Sequence, residues 1–298
     1  MPTSPFLDLI ARRAVLLDGA LGTELMKRGL SQGESPDLWN VERPEAVRDI
    51  HRSYFEAGSD AVMTNTFGAS VLKLEAAGHA GRCAEINAAA AVLALSVRPS
   101  GGFVGGDIGP TGKFLKPQGE YEESAFEAAF AVQARALAAA GVDFFLIETM
   151  YDLREALCAV RACRAAADIP VFATMTFNRT RRGFFTLMGD SVAKCVTAFE
   201  ALGVPAFGAN CTLTGADLAD AIREMRAITA RPLIAQPNAG QPSIGPEGED
   251  VVYSQSVEEF AADVPKLLDA GASLVGGCCG TTPDHIRRAA NILKARAR

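Results

Sequence analysis

The stretch EESAFEAAFAVQARALAAAGVDFFLIE, residues 122–148, contains the repeating unit of this chain. Its first part is dense in Ala, Glu and Leu, which lose little rotamer freedom in a helix. Gly141 follows Ala140, and glycine suits the left-handed residue that ends many helices. Phe144, Phe145, Leu146 and Ile147 then form an apolar run too short for a helix, bounded by Asp143 and Glu148. A run apolar at consecutive positions reads as a parallel strand buried on both faces.

Working outward, the same unit recurs. Short apolar runs occupy residues 14–18, 61–65, 103–107, 144–148, 171–176, 206–210, 232–236 and 273–276, each ending near a polar residue or glycine. Helical stretches are expected over 44–57, 122–140, 152–167, 191–202, 216–227, 257–270 and 284–297, and the Ala-rich segment 88–97 reads as a buried helix. Leu202-Gly203 and Ala270-Gly271 repeat the closing signal of Ala140-Gly141. Strand and helix alternating eight times predict a single (β/α)8 TIM barrel with right-handed crossovers, one domain over residues 1–298. An open doubly wound sheet is the competing architecture. It usually carries G-x-G-x-x-G after its first strand, and Gly19-Ala20-Leu21-Gly22 does not fit. Two loops are long: 19–40 after the first strand, and 238–256, with Pro242, Pro246 and glycines, after the seventh. Both lie at the end where barrel enzymes keep their active sites.

Composition narrows the function. Of 298 residues, 49% are apolar and 21% charged, which is enough to build a large core without disulfides. A net charge of −6 with no basic stripe argues against nucleic acid or an anionic membrane as partner. No run reaches the ~18 apolar residues of a membrane span, and residues 1–13 lack a signal-peptide core. A cytoplasmic location is expected. There, seven cysteines are ligands, nucleophiles or core residues before they are disulfides.

The chemistry-bearing residues gather at strand ends: Asp18, Asn65, Asp107, Glu148, Cys211, Asn238 and Cys278-Cys279. In a barrel these positions converge on one mouth. The glycines of Gly276-Gly277-Cys278-Cys279-Gly280 free the backbone, so adjacent side chains need not point to opposite faces. With Cys211 they can supply three thiolate corners of a tetrahedral zinc site, the fourth corner left open as in catalytic sites. The spacing is not C-x-x-C, and the same residues would also serve as a vicinal disulfide or as free core thiols. Cys83, Cys158, Cys163 and Cys195 fall in helical patterns and read as small buried hydrophobes. His51 and His79 read as surface residues of helical segments, and His285 as a structural residue of a helix first turn. Zinc with three thiolates carries a formal charge of about −1, counted as +2 and three −1. Such a metal deprotonates an incoming thiol yet leaves its sulfur nucleophilic, which suits attack on a methyl group better than polarisation of a carbonyl.

Seven motifs carry a resemblance. Asp18-Gly19-Ala20-Leu21-Gly22-Thr23-Glu24, Thr64-Asn65-Thr66-Phe67-Gly68-Ala69, Gly106-Asp107-Ile108-Gly109-Pro110-Thr111-Gly112, Glu148-Thr149, Asn210-Cys211, Pro237-Asn238-Ala239-Gly240 and Gly276 through Pro283 resemble, in order, the homocysteine S-methyltransferase family. The wording is nearest to the homocysteine-binding module of cobalamin-dependent methionine synthase. The resemblance implies one Zn²⁺ per chain on Cys211, Cys278 and Cys279. It implies that Asp18 and Glu148 receive the homocysteine ammonium, and that the backbone around Gly19, Gly22 and Thr23 meets its carboxylate. Asn238 is a further candidate substrate contact, or a residue that ties loops together as Asn65 could. Asp18 could instead cap a helix, and Asp107 reads first as a residue shaping the mouth. No catalytic acid or base is required beyond the zinc site. The chain holds no further stretch for folate or cobalamin modules. The methyl group is therefore expected from methylcobalamin on a partner corrinoid protein, or from S-methylmethionine, S-adenosylmethionine or betaine. Betaine would need an aromatic cage, for which Trp39 and Tyr151 are candidates, with Phe67 and Phe177 in addition.

Two other classes compete. A metal-free barrel lyase would need Lys113 or Lys116 as a Schiff-base nucleophile, and both lie in an exposed Gly/Pro-rich loop. A non-catalytic zinc- or thiol-sensing barrel would bind metal and turn nothing over.

Overall fold

A computed structural model describes residues 4–31, 33–244 and 251–296. In chain order its strands are β1 (Val15–Leu16), β2 (Ala61–Met63), β3 (Phe103–Ile108), β4 (Phe144–Met150), β5 (Val171–Met175), β6 (Asn178–Thr180), β7 (Gly183–Phe185), β8 (Phe207–Asn210), β9 (Leu233–Gln236), β10 (Pro242–Ile244), β11 (Val251–Tyr253) and β12 (Ala272–Val275). Eight form one parallel sheet in the order β1-β12-β9-β8-β5-β4-β3-β2. The ends meet where Asp60 N donates to Leu16 O at 2.7 Å, so the sheet curls into a (β/α)8 TIM barrel. The β6–β7 and β10–β11 pairs are antiparallel hairpins in the loops after β5 and β9.

The helices are α1 (Pro5–Arg12), α2 (Leu21–Lys27), α3 (Trp39–Glu42), α4 (Pro44–Ala57), α5 (Val71–Glu75), α6 (Cys83–Ser96), α7 (Glu123–Ala140), α8 (Leu153–Ala166), α9 (Val192–Ala201), α10 (Gly215–Arg226), α11 (Val257–Asp269) and α12 (Pro283–Arg296). Side-chain caps set several starts: Asp152, Ser191 and Thr214 each accept from a first-turn N–H, and Ser256 forms a capping box with Glu259. Gly58 and Gly141 end α4 and α7 in the left-handed conformation. No helix among the described residues is long and apolar enough to cross a membrane.

Strand alternation positions the site. One parity points into the barrel: Leu17, Met63, Phe144, Leu146, Phe172, Ile234 and Leu274 share a single interior cluster. The other parity, including Leu16, Val62, Phe145 and Ile147, packs under the helices. Counting two residues further along the inward parity reaches Asp107 on β3, Glu148 on β4 and Gln236 on β9. The apolar interior is thus topped by polar side chains at the strand C-termini. The opposite end is stoppered by α1: Phe6 is fully buried and stacks on Phe144 at 4.3 Å.

Some expectations need correction. His51 is completely buried, because it shares the inward face of α4 with Val47, Ile50, Tyr54 and Ala57 at helical spacing. Pro246 lies outside the described residues. The 238–256 loop is organised by the β10–β11 hairpin, and a second hairpin, β6–β7, follows β5 where none is expected. The four helix cysteines are buried as read, and His285 is buried in the first turn of α12.

Candidate active site

The three cysteines meet at the barrel mouth. The sulfur atoms of Cys211, Cys278 and Cys279 all lie within 4.8 Å of one another, with Cys278 and Cys279 at 4.0 Å. A tetrahedral centre with metal–sulfur bonds of ~2.3 Å needs its sulfurs about 3.8 Å apart, so the trio could hold a metal ion with little movement. The backbone is bent to bring this about. Cys211 and Thr212 adopt φ of +60° and +45°, and Thr149, at the end of β4 two strands away, +59°. These are costly angles for side chains with a Cβ, and they cluster here because surrounding bonds hold them. The Asn210 side chain ties the two ends together, accepting from Thr149 N at 2.9 Å and donating to Thr149 Oγ1 at 2.7 Å.

The cysteine loop is fastened just as firmly. Cys278 N donates to Pro237 O at 2.8 Å, and Ala239 N to Cys279 O at 2.9 Å. Gly280 N donates to Thr23 Oγ1 at 3.0 Å, which joins this loop to the first βα loop. Glycine is required at 280: φ is +81°, and an added Cβ would sit 2.3 Å from the Tyr253 ring. The neighbouring thiols of Cys211 and Cys278 shift the Cys279 thiol downward, the direction that favours a thiolate ligand. A second group of possible ligands, Glu123, Glu127 and Cys158, is different: its carboxylates are paired with Arg154 and Arg161 on the outer helices.

Beside the sulfurs lies a cavity of about 570 Å³, bordered by Asp18, Asp107, Glu148 and Gln236 on strand ends and by residues 19–23 of the first loop. Asp18 Oδ2 accepts from Met63 N at 2.8 Å, so the carboxylate also clasps β1 to β2. Burial pushes Asp18 and Asp107 well above the usual carboxylate range, and their mutual repulsion with Glu148 adds to it. Burial, then the negative Cys279 sulfur, pushes Glu148 up to about 7. α2 begins at Leu21 with no side-chain cap, so the N–H groups of its first turn meet the cavity wall. Gly19 is a close-packing glycine, because a Cβ there would lie 2.7 Å from Thr281 Oγ1. Gly22 has open space on its cavity side.

The structure thus gathers Asp18, Gly19, Gly22, Thr23, Glu148 and the three cysteines around one space. Asn238 is close by but does not line it. Asn238 is buried beneath the cysteine loop, with its N–H on Leu213 O at 3.3 Å and its Oδ1 without a partner. Asn65 ties loops together through Pro36 O and Asn40 Oδ1.

A family profile described as homocysteine S-methyltransferase matches residues 15–293, nearly the whole barrel. The chain belongs to the homocysteine S-methyltransferase family. Methionine synthase of Mycobacterium tuberculosis is 34% identical over 302 residues, covering 95% of this chain and 25% of that protein. Methionine synthase of Mycobacterium leprae is 33% identical over 302 residues, covering 95% of this chain and 24% of that protein. The chain therefore spans about a quarter of the length of these relatives. The metallated homocysteine methyltransferase MmuM of Escherichia coli superposes with a TM-score of 0.81 at 25% identity, covering 97% of this chain and 99% of that one.

For this family member the aromatic expectations change. Trp39 is buried under the Arg43 guanidinium, Tyr151 pairs with Phe114 away from the cavity, and Phe177 is fully buried. The rings that do border the cavity are Phe67 and Tyr253. Tyr253 escapes sequence reasoning because it arrives on a hairpin inside a Gly/Pro-rich loop. Gln236 could have been found, as it ends the seventh apolar run on the inward parity.

Proposed function

We propose that this chain is a zinc-dependent homocysteine S-methyltransferase that forms methionine, taking its methyl from a methyl-corrinoid. The observation that carries this reading is the trio of Cys211, Cys278 and Cys279 sulfurs opening directly onto a cavity bordered by carboxylates. A Zn²⁺ ion held by these sulfurs would favour the thiolate form of a substrate thiol at its open corner. Asp18 and Glu148 would hold the substrate ammonium, and the uncapped first turn of α2, with Gly19, Gly22 and Thr23, its carboxylate. Asn238 would support the sulfur end from beneath the cysteine loop. A methyl-corrinoid would supply an electrophilic methyl carbon to that sulfur, the electron pair of the carbon–cobalt bond departing with the cobalt. No proton donor is needed for that leaving group.

Two features support the donor. The methionine synthases are more similar in sequence to this chain than the E. coli structure is. Among the described residues only two rings, Phe67 and Tyr253, border the cavity, fewer than the aromatic cage that a quaternary ammonium would require. The test is to offer the zinc-loaded protein homocysteine with methylcobalamin, S-methylmethionine, S-adenosylmethionine or betaine and to measure methionine. Absence of methionine with every donor would overturn the enzymatic reading and leave a zinc- or thiol-binding barrel.

A further inference from the structure

Two buried acceptors at the cavity floor have no assigned task. Asp107 is 5% exposed and borders the cavity, and its Oδ1 has no hydrogen-bond partner among the described residues. Its backbone is immobilised: Asp107 N donates to Thr64 Oγ1 at 3.0 Å, and its carbonyl accepts from Thr66 Oγ1 at 2.7 Å. With the backbone so held on the inward parity of β3, the buried side chain stands at the cavity border. Gln236, 3% exposed, also borders the cavity, and its Oε1 is likewise without a partner. It ends β9 on the inward parity, two residues beyond Ile234 of the barrel interior.

Both orphans are acceptors, and both stand beside carboxylates that repel them. A buried acceptor without a donor is costly, and a third carboxylate beside two others is more so. A cationic donor reaching both would supply the missing hydrogen bonds and offset the crowding of acidic groups at once. A primary ammonium brings one positive charge and three N–H groups. Asp18 has already given Oδ2 to Met63 N, so it is not wholly free for those three donors.

The geometry points to Asp107 and Gln236 as specificity-determining residues that complete the seat of the substrate's ammonium. This rests on the homocysteine reading above and deepens it. The site would reject a thiol acid without an amine, because that ligand leaves Asp107 Oδ1 and Gln236 Oε1 unpaired in a closed space.

The experiment uses two thiols on the zinc-loaded chain: homocysteine, and 4-mercaptobutanoate, which lacks only the amine. Dissociation constants are measured by calorimetry for the wild type, Asp107→Asn and Gln236→Met, with zinc content measured for each. Asp107→Asn should weaken homocysteine about ten- to a hundred-fold, and Gln236→Met about two- to ten-fold. Both variants should keep their zinc and bind 4-mercaptobutanoate within about three-fold of the wild type. A change equal for both thiols, or for neither, would show that the two residues merely shape the floor. If the wild type binds neither thiol while holding zinc, the homocysteine reading itself fails and this inference falls with it. If it binds homocysteine and only the selectivity is unmoved, this inference alone is wrong.

Discussion

At the scale of the residue, the site depends on side chains whose chemistry is fixed by a strained backbone. Cys211 reaches its partners only because Asn210 and the β9 edge hold the turn at positive φ. Replacing Cys211 by Ser, or Cys278 or Cys279 by Ala, should abolish stoichiometric zinc binding while circular dichroism stays native, because the core does not pass through the sulfurs. Retention of one zinc per chain in any of the three would refute the ligand set. The cysteines were legible in the sequence, since thiols flanked by glycine at a strand end have few bland explanations. His51 was not legible, because one polar residue in a helix reads as exposed until the packing face is known. Burial lowers its pKa from 6.5 to about 4, and neither ring nitrogen has a partner. The folded state thus resists a proton that the unfolded chain accepts. Its contribution is intact above pH 6.5 and is lost as pH falls toward 4, by up to about 3 kcal/mol. Urea unfolding of wild type and His51→Met at pH 7 and pH 4 should show the stability difference shrinking by this order. A pH-independent difference would mean that His51 takes up its proton as readily in the fold as in the unfolded chain.

At the scale of the element, the barrel strands and seven of the outer helices were legible because each unit repeats the same signals: apolar run, helix formers, closing glycine. The two hairpins were not, because their side chains alternate over only three residues per strand and sit among Gly, Pro and Arg. α1 was missed for another reason: eight residues carry too little periodicity, and its role appears only in three dimensions. Phe6 closes the bottom of the barrel against Phe144 and Phe172, at the end away from the cysteines. Phe6→Ala should therefore cost about 3–5 kcal/mol of stability, read from urea or thermal unfolding, by opening a cavity in a packed core. Zinc content should remain unchanged. Loss of zinc at a temperature where the variant is folded would mean that stopper and site are coupled through the barrel.

At the scale of the whole molecule, the mouth face differs from the rest of the surface. Seven large hydrophobic side chains are exposed among the described residues, and five of them, Met26 on α2, Val252 on β11, Phe67, Phe114 and Leu187, stand in the segments that follow barrel strands at their C-terminal ends. Isolated exposed apolar residues are ordinary, but their gathering on one face is not. Met26 and Phe67 border the cavity itself, above the polar floor that suits an amino acid. At about 570 Å³ the space exceeds what a four-carbon amino acid fills, and its lining adds Leu74, Ala76 and Ala77 to these two, alongside the charged Glu34 and Lys73. A corrin ring must lay a broad face over the sulfur it methylates, and an apolar rim receives such a face without burying unpaired charge. Betaine needs rings on several sides of its ammonium, and this mouth offers two. Methylcobalamin should therefore methylate homocysteine in the presence of the zinc-loaded chain, and betaine should not. Phe67→Ser should raise the KM for methylcobalamin several-fold and leave the homocysteine dissociation constant within about two-fold, since Phe67 is on the rim and the carboxylates are on the floor. Rapid turnover with S-methylmethionine or S-adenosylmethionine, together with inert methylcobalamin, would assign the outer cavity to a small sulfonium donor instead.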